Sequence, residues 1–204
     1  MLTLAFQKVW RAFGARTVFR DFDAAAGSGR VTAVTGAHGA GKSTLLRLAG
    51  AWLLPDRGAV AIRGGQQSWE REQIRQRVAL VSPELCFYGK LSAAENLAFF
   101  AGLRGQPLAA AAAEALLQRV GLAAADGWVE GFSTGMRQRL KLAVLLAADA
   151  PVWLLDEPAS NLDAAGQALA LELAAAAARE GRLVLWATND PEEAAAADET
   201  IRLS

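Results

Sequence analysis

Hydrophobic residues recur along this chain with two different periods. Short apolar or alternating runs predict β-strands at residues 2–9, 18–24, 30–35, 59–63, 78–81, 152–155, 183–187 and 199–203. Helical spacing predicts helices at residues 92–103, 107–120 and 134–148, and alanine runs at 109–113 and 174–178 favour helix as well. Strands separated by helical crossovers predict an α/β fold with a mainly parallel sheet. We expect one domain over residues 1–204, strand-rich in its first third, with a helical insertion at about 85–145.

A glycine-rich segment follows the predicted strand 30–35 directly. Its residues are Gly36, Ala37, His38, Gly39, Ala40, Gly41, Lys42, Ser43 and Thr44. Glycines let the backbone N–H groups and the start of the next helix approach a phosphate chain closely. In this pattern the lysine meets the β- and γ-phosphates and the serine hydroxyl binds Mg²⁺. The segment predicts a nucleoside triphosphate site; a glycine-rich turn without a ligand is the alternative.

Two adjacent carboxylates end the apolar strand 152–155. On a strand, the side chains of Asp156 and Glu157 point in different directions, so they can divide the chemistry. Asp156 is predicted to hold Mg²⁺ through water, and Glu157 to orient the water that attacks the γ-phosphate. Two acids at a strand end are more often a solvated turn, but their position after a phosphate loop favours a site.

A third segment, at residues 132–140, precedes the predicted helix 134–148. Ser133 suits an N-cap, and Gly135 leaves the backbone at the helix start open to an anion. A capped helix with arginines in solvent is the plainer interpretation.

Composition limits the function classes. Lysine plus arginine and aspartate plus glutamate both number 21, so the net charge is zero and a nucleic acid is not an expected main partner. The sequence contains no run of about 18 uncharged apolar residues, so no membrane span is predicted. The single cysteine, Cys86, cannot form an internal disulfide. Trp52, Trp69 and Trp128 are candidates for a subunit interface, with buried core positions as the alternative.

The order of these three segments resembles the nucleotide-binding domain of ATP-binding cassette (ABC) transporters over nearly the whole chain. The resemblance implies a P-loop NTPase core, an N-terminal antiparallel β subdomain and a helical insertion subdomain. It also implies ATP and Mg²⁺ as ligands, with Ser133 and Gly135 acting on the γ-phosphate held by a second subunit. The working unit would be a head-to-tail homodimer or close heterodimer bound to separate membrane permease subunits. Its expected location is cytoplasmic, peripheral on the inner face of the cell membrane.

The same resemblance assigns further positions. Asp163 matches the aspartate that couples the two sites of the dimer, and Phe13 lies where the family stacks an aromatic ring on adenine. A buried core phenylalanine is the alternative for Phe13. Asn189 lies where the family has a histidine that contacts the γ-phosphate.

Asn189 and Glu84 are the two departures from the family pattern. An amide cannot carry or pass a proton, so hydrolysis is predicted to be slow. Glu84 is the best match to the family's Mg²⁺-ligating glutamine, with a surface acid as the alternative. His38, the only histidine, occupies a variable loop position, and we expect no catalytic role for it.

The favoured function is therefore the ATP-binding and ATP-hydrolysing subunit of a membrane transporter. A degenerate ABC ATPase that regulates or remodels a non-transport complex is the alternative. The chain's length and layout resemble the heme-exporter ATP-binding subunits of cytochrome c biogenesis.

Overall fold

The computed structural model describes residues 1–123 and 127–203. Its strands are β1 (Leu2–Phe13), β2 (Arg16–Gly27), β3 (Arg30–Thr35), β4 (Arg57–Gly64), β5 (Gln67–Ser68), β6 (Val78–Val81), β7 (Val152–Asp156), β8 (Leu183–Ala187) and β9 (Glu199–Arg202). Its α-helices are α1 (Lys42–Ala49), α2 (Arg71–Arg77), α3 (Ala93–Leu103), α4 (Ala110–Arg119), α5 (Thr134–Ala147), α6 (Ala164–Arg179) and α7 (Pro191–Ala195). A 3₁₀ turn over Val129–Gly131 precedes α5.

The strands form two sheets. The N-terminal sheet is antiparallel with the order β2-β1-β4-β5, and irregular register between β1 and β2 marks bulges along the pair. The second sheet is parallel with the order β6-β7-β8-β3-β9. Because β3, β7 and β8 are neighbours, their carboxyl ends meet at one edge of this sheet. The predicted α/β class with an antiparallel and a mainly parallel sheet is confirmed.

The parallel sheet is buried on both faces. Along β7, Val152 and Leu154 face a core shared with the N-terminal sheet and α1, whereas Trp153 and Leu155 face a core shared with α5 and α6. All five residues of β7 and of β8 are buried. This explains why both strands are continuous apolar runs without alternation.

Helices α3, α4 and α5 pack against one another between β6 and β7 in chain order. Ser92 caps α3 in a capping box with Glu95, and buried Asn96 bonds the backbone of the preceding loop at Tyr88. These three helices form the insertion that the sequence predicts.

Three short elements escaped prediction: β5, α2 and α7. Helix α2 buries only Ile74, and α7 buries no residue, so neither produces an apolar stripe. Within residues 1–123 and 127–203, no helix has the length and hydropathy that a membrane span requires.

Candidate functional site

The glycine-rich loop joins β3 to α1 at the carboxyl edge of the parallel sheet. Gly41 has φ +105° at the N-cap of α1, and a Cβ there would lie 2.5 Å from Val18. Both the backbone conformation and the space therefore require glycine. Arg16, at the start of β2, donates from Nη2 to the Gly39 carbonyl at 2.6 Å and holds the loop from outside.

Lys42 begins α1 and is only 7% exposed. Its ammonium donates to the carbonyls of Gly36 (2.8 Å) and Ala37 (3.2 Å) and to Asn189 Oδ1. The loop thus curls around the lysine, which places a buried positive charge at its centre.

Asp156 lies beside this charge at the end of β7 and is 6% exposed. Burial raises the pKa of its carboxyl, and the neighbouring Glu157 charge adds to the rise. A hydrogen bond from the Ser43 hydroxyl and the charges of Arg47 and Lys42 oppose the pKa rise without cancelling it. An ionised Asp156 is therefore short of positive charge in this structure.

Glu157 follows with φ +50°, the left-handed region that non-glycine residues seldom occupy. Its N–H donates to the Ala187 carbonyl of β8 at 2.9 Å, and Oε1 accepts from Asn189 Nδ2 at 3.0 Å. The side chain of Glu157 lines the same cavity as Lys42.

Lys42 and Glu157 line a cavity of about 380 Å³, within the range of small-ligand sites. Phe13 lines it and is 46% exposed, so the core alternative for this residue is wrong. The Arg11 guanidinium lies 4.5 Å from the centre of the Phe13 ring. The other lining residues are Arg16, Val18, His38, Gly39, Gly41, Lys42, Ser43, Thr44, Glu157 and Asn189.

Ser133, Gly135 and Asp163 lie apart from this cavity. Ser133 caps α5, accepting from Met136 N–H at 3.1 Å as predicted. A Cβ on Gly135 would lie 3.1 Å from the Asn161 carbonyl. Asp163 caps α6 and pairs with Arg139 at 2.7 Å. Arg139 and the Gly166 N–H hold the pKa of the Asp163 carboxyl below its usual range.

Glu84 also lies apart from the cavity. Its exposed carboxylate pairs with Arg47 of α1, and its neighbours line a different, apolar groove. Among the described residues, the hydrogen bond and ion pair of the Glu84 carboxylate are with Arg47. The assignment of Glu84 as a Mg²⁺ ligand therefore stays a prediction.

Two residues of the site were missed from sequence. Arg16 carries no motif that would single it out. Gln138 lies within the 132–140 segment, but no separate role is predicted for it from sequence. Its Nε2 donates to the Pro158 carbonyl at 2.7 Å. This buried bond joins α5 to the segment that follows Glu157.

Comparisons with known proteins agree with this geometry. The family model described as ABC transporter matches residues 19–160. The cytochrome c biogenesis ATP-binding export protein CcmA of Bradyrhizobium diazoefficiens is 38% identical over 198 residues, which cover 92% of each chain. The protein with the same description from Albidiferax ferrireducens is 32% identical and covers 90% of this chain and 88% of its own.

Solved structures show the same fold. A putative ABC transporter ATP-binding protein from Pyrococcus furiosus superposes with a TM-score of 0.84 at 20% identity, covering 98% of this chain and 97% of its own. A bacterial Atm1-family ABC exporter with ATP bound gives a TM-score of 0.85 at 20% identity, covering 99% of this chain and 37% of its own. The fold, the loop at residues 36–44 and the family match agree: the chain belongs to the ATP-binding proteins of the ABC transporter family.

Proposed function

We propose that the 380 Å³ cavity binds ATP with Mg²⁺ and hydrolyses it. The observation that carries this proposal is the convergence of Lys42, Ser43, Asp156 and Glu157 at the carboxyl edge of one parallel sheet. The triphosphate would lie along the loop and the first turn of α1, with Lys42 at its β- and γ-phosphates. Phe13 would offer its exposed ring to adenine.

The residues at the metal position fit Mg²⁺. Ser43 and Asp156 supply hard oxygen ligands, and the buried Asp156 charge lacks compensation. Among the described residues, no group of three His, Cys, Asp or Glu side chains forms a protein-only metal cage. That suits an ion that keeps water and phosphate oxygens as its remaining ligands. When bound, Mg²⁺ would neutralise charge on the phosphates.

Glu157 is the proposed base for hydrolysis. Its left-handed backbone places the carboxylate at the cavity beside Lys42, where it can accept a proton from an attacking water. Asn189 already bonds both side chains, so it lies where the γ-phosphate would be. Its amide can donate to a phosphate oxygen but cannot shuttle a proton, which is the reason to expect slow turnover.

A second subunit would complete the site. Ser133 and Gly135 lie outside the cavity of their own chain, so they can meet the γ-phosphate only from another copy or a close relative. This supports a head-to-tail dimer with two ATP molecules. Asp163, exposed at the start of α6, would lie at the dimer seam.

An apolar groove supports a membrane permease as the partner. The groove, of about 500 Å³, lies between β6 and helices α3 and α5, and Trp52 and Leu103 line it with 38% and 69% of their surface exposed. Exposed aromatic and aliphatic side chains around a groove are typical of protein interfaces. The subunit would then be peripheral on the cytoplasmic face of the membrane.

Similarity to the CcmA proteins extends the proposal to export in cytochrome c biogenesis. The degenerate regulator is less favoured because those relatives are described as export proteins.

The test is to measure Mg²⁺-dependent ATP turnover of the chain alone and after co-expression with a candidate permease. We expect turnover that rises with the permease and disappears in Lys42→Ala. Absence of nucleotide binding by the wild-type protein at millimolar Mg²⁺-ATP would contradict an ATP site. Binding without turnover in either state would favour the regulator.

A further inference from the structure

The only histidine of the chain lies on the cavity wall next to Asn189. His38 Nε2 is 3.5 Å from Asn189 Nδ2, within hydrogen-bonding reach. Both side chains line the cavity together with Lys42 and Glu157. His38 comes from the phosphate loop and Asn189 from the end of β8, so the pair spans the γ-phosphate end of the proposed site.

The chemistry of its neighbours fixes the orientation of the Asn189 amide. Lys42 can only donate, so it must face the amide oxygen, Oδ1. An ionised Glu157 can only accept, so it must face the amide nitrogen, Nδ2, at 3.0 Å. Reversing the amide would place its NH₂ group against the Lys42 ammonium and its oxygen against the Glu157 carboxylate.

The second hydrogen on Asn189 Nδ2 therefore remains for His38. Nδ2 cannot accept a hydrogen bond, so His38 Nε2 can meet it only as an acceptor. That requires a neutral imidazole with its proton on Nδ1. A protonated imidazole carries hydrogens on both nitrogens and would turn an N–H toward an N–H.

We propose that His38 is a positioning residue for Asn189. His38 Nε2 accepts a hydrogen bond from Asn189 Nδ2 and so holds the amide with its nitrogen toward Glu157. This inference rests on the proposed ATPase function and adds a role for a loop side chain to it. His38 does not touch the reacting atoms in this role; it acts through Asn189.

Nuclear magnetic resonance tests the geometry without activity. Because His38 is the only histidine, the imidazole ¹⁵N signals of the untagged full chain belong to it alone. We expect the neutral imidazole of the nucleotide-free protein to be the Nδ1–H tautomer. We also expect a shift toward Nε2–H in Asn189→Ala, since the acceptor role is then removed. An Nε2–H tautomer in the wild-type protein would overturn the proposal.

Kinetics test the role. Gln places an acceptor oxygen where the histidine has Nε2, whereas Asn is too short to reach. We expect His38→Gln to keep most of the wild-type kcat, and His38→Asn and His38→Ala to lower kcat about fivefold, the size of one ordinary hydrogen bond.

A double-mutant cycle separates positioning from a general loop defect. In an Asn189→Ala background, His38→Ala should have no further effect on kcat. Additive losses, or equal losses in His38→Gln and His38→Ala, would show that His38 does not act through Asn189. Both results leave ATP hydrolysis itself intact, so failure of this inference is distinguishable from failure of the proposed function.

Discussion

Asp156 and Asp163 lie on the same connection between β7 and α6, yet their environments are opposite. Burial raises the pKa of Asp156, whereas Arg139 and the Gly166 N–H lower the pKa of Asp163. The phosphate-loop side of the molecule, which contains Lys42 and Asp156, therefore has a buried carboxylate whose negative charge is not fully compensated by its neighbours. The Ser133 side contains polar groups that are already satisfied by helix caps and an ion pair.

The backbone follows the same division in part, although Asn161, beside Gly135, also has a left-handed φ of +61°. Gly41 and Glu157, both on the phosphate-loop side, have left-handed φ angles, and Glu157 does so with a full side chain. On the other side, Ser133 and Asp163 have the extended φ and ψ typical of N-caps. One half of the proposed site is thus shaped for a ligand, and the other is a stable surface that can be presented to a second subunit.

The largest expected effect comes from removing the proposed base. Glu157→Gln should lower ATP turnover at least about 100-fold because the amide cannot accept the proton, while ATP binding persists. Phosphate release and equilibrium dialysis measure the two properties. Glu172→Gln, an exposed acid on α6, is the control. Turnover at the original rate would refute Glu157 as the base.

The next effect concerns Asn189. Asn189→His introduces a ring that can carry and pass a proton, and we expect turnover to rise about tenfold, which corresponds to about 1.4 kcal/mol of barrier. The measurement is steady-state phosphate release from the permease-bound or dimerised protein. An unchanged rate would show that the amide does not limit hydrolysis.

Replacing Asp156 by a neutral residue should stabilise the nucleotide-free protein and remove its stabilisation by Mg²⁺-ATP. Its raised pKa means that the folded protein holds the proton more tightly than the unfolded chain, so stability is lost as pH rises through the folded pKa. Asp156→Asn should therefore raise the melting temperature of the nucleotide-free protein at pH 7.5. It should also abolish the stabilisation by Mg²⁺-ATP.

Differential scanning calorimetry with and without Mg²⁺-ATP measures both changes. The stability gain should shrink as pH falls, because the wild-type Asp156 carboxyl then takes up a proton as well. A lower melting temperature at pH 7.5 would contradict the inferred charge imbalance.

The smallest effect belongs to Asp163. Its pKa is lowered in the folded protein, so its contribution is present above the unfolded value near pH 4 and is lost as pH falls through the folded value. Asp163→Asn keeps a capping side chain but removes the ion pair with Arg139, and should lower the melting temperature slightly at pH 7. Asp163→Ala, which removes both, should lower it more. Identical melting curves for both variants at pH 7 would contradict separate contributions from the N-cap and the ion pair.

Much of the phosphate-loop side was predictable because its chemistry is local in sequence. The strand before residue 36 and the loop itself carry their own signals, and Asp156 and Glu157 end an apolar strand. The contacts of Asn189 were not predictable, since Lys42 and Glu157 reach it from separate elements. Their meeting depends on the order of β3, β8 and β7 in the sheet.

Other differences have equally specific reasons. Strand β2 extends from Arg16 to Gly27 rather than over residues 18–24, because pairing with β1 continues beyond its apolar residues. Glu84 matches a family position by register, and that assignment stays a prediction; the structure adds an ion pair between its carboxylate and Arg47 of α1. Sequence spacing contains no information about that partner.

The buried amide of Gln138 links two parts of the proposed site. It joins the helix that begins after Ser133 to the Pro158 carbonyl, one residue beyond the carboxylate proposed as the base. In the proposed dimer, a subunit would therefore transmit force between the surface that it offers to its partner and the reaction centre that it keeps. Gln138 would then be one of the links, with the Arg139–Asp163 ion pair, through which each of the two sites responds to the position of the other.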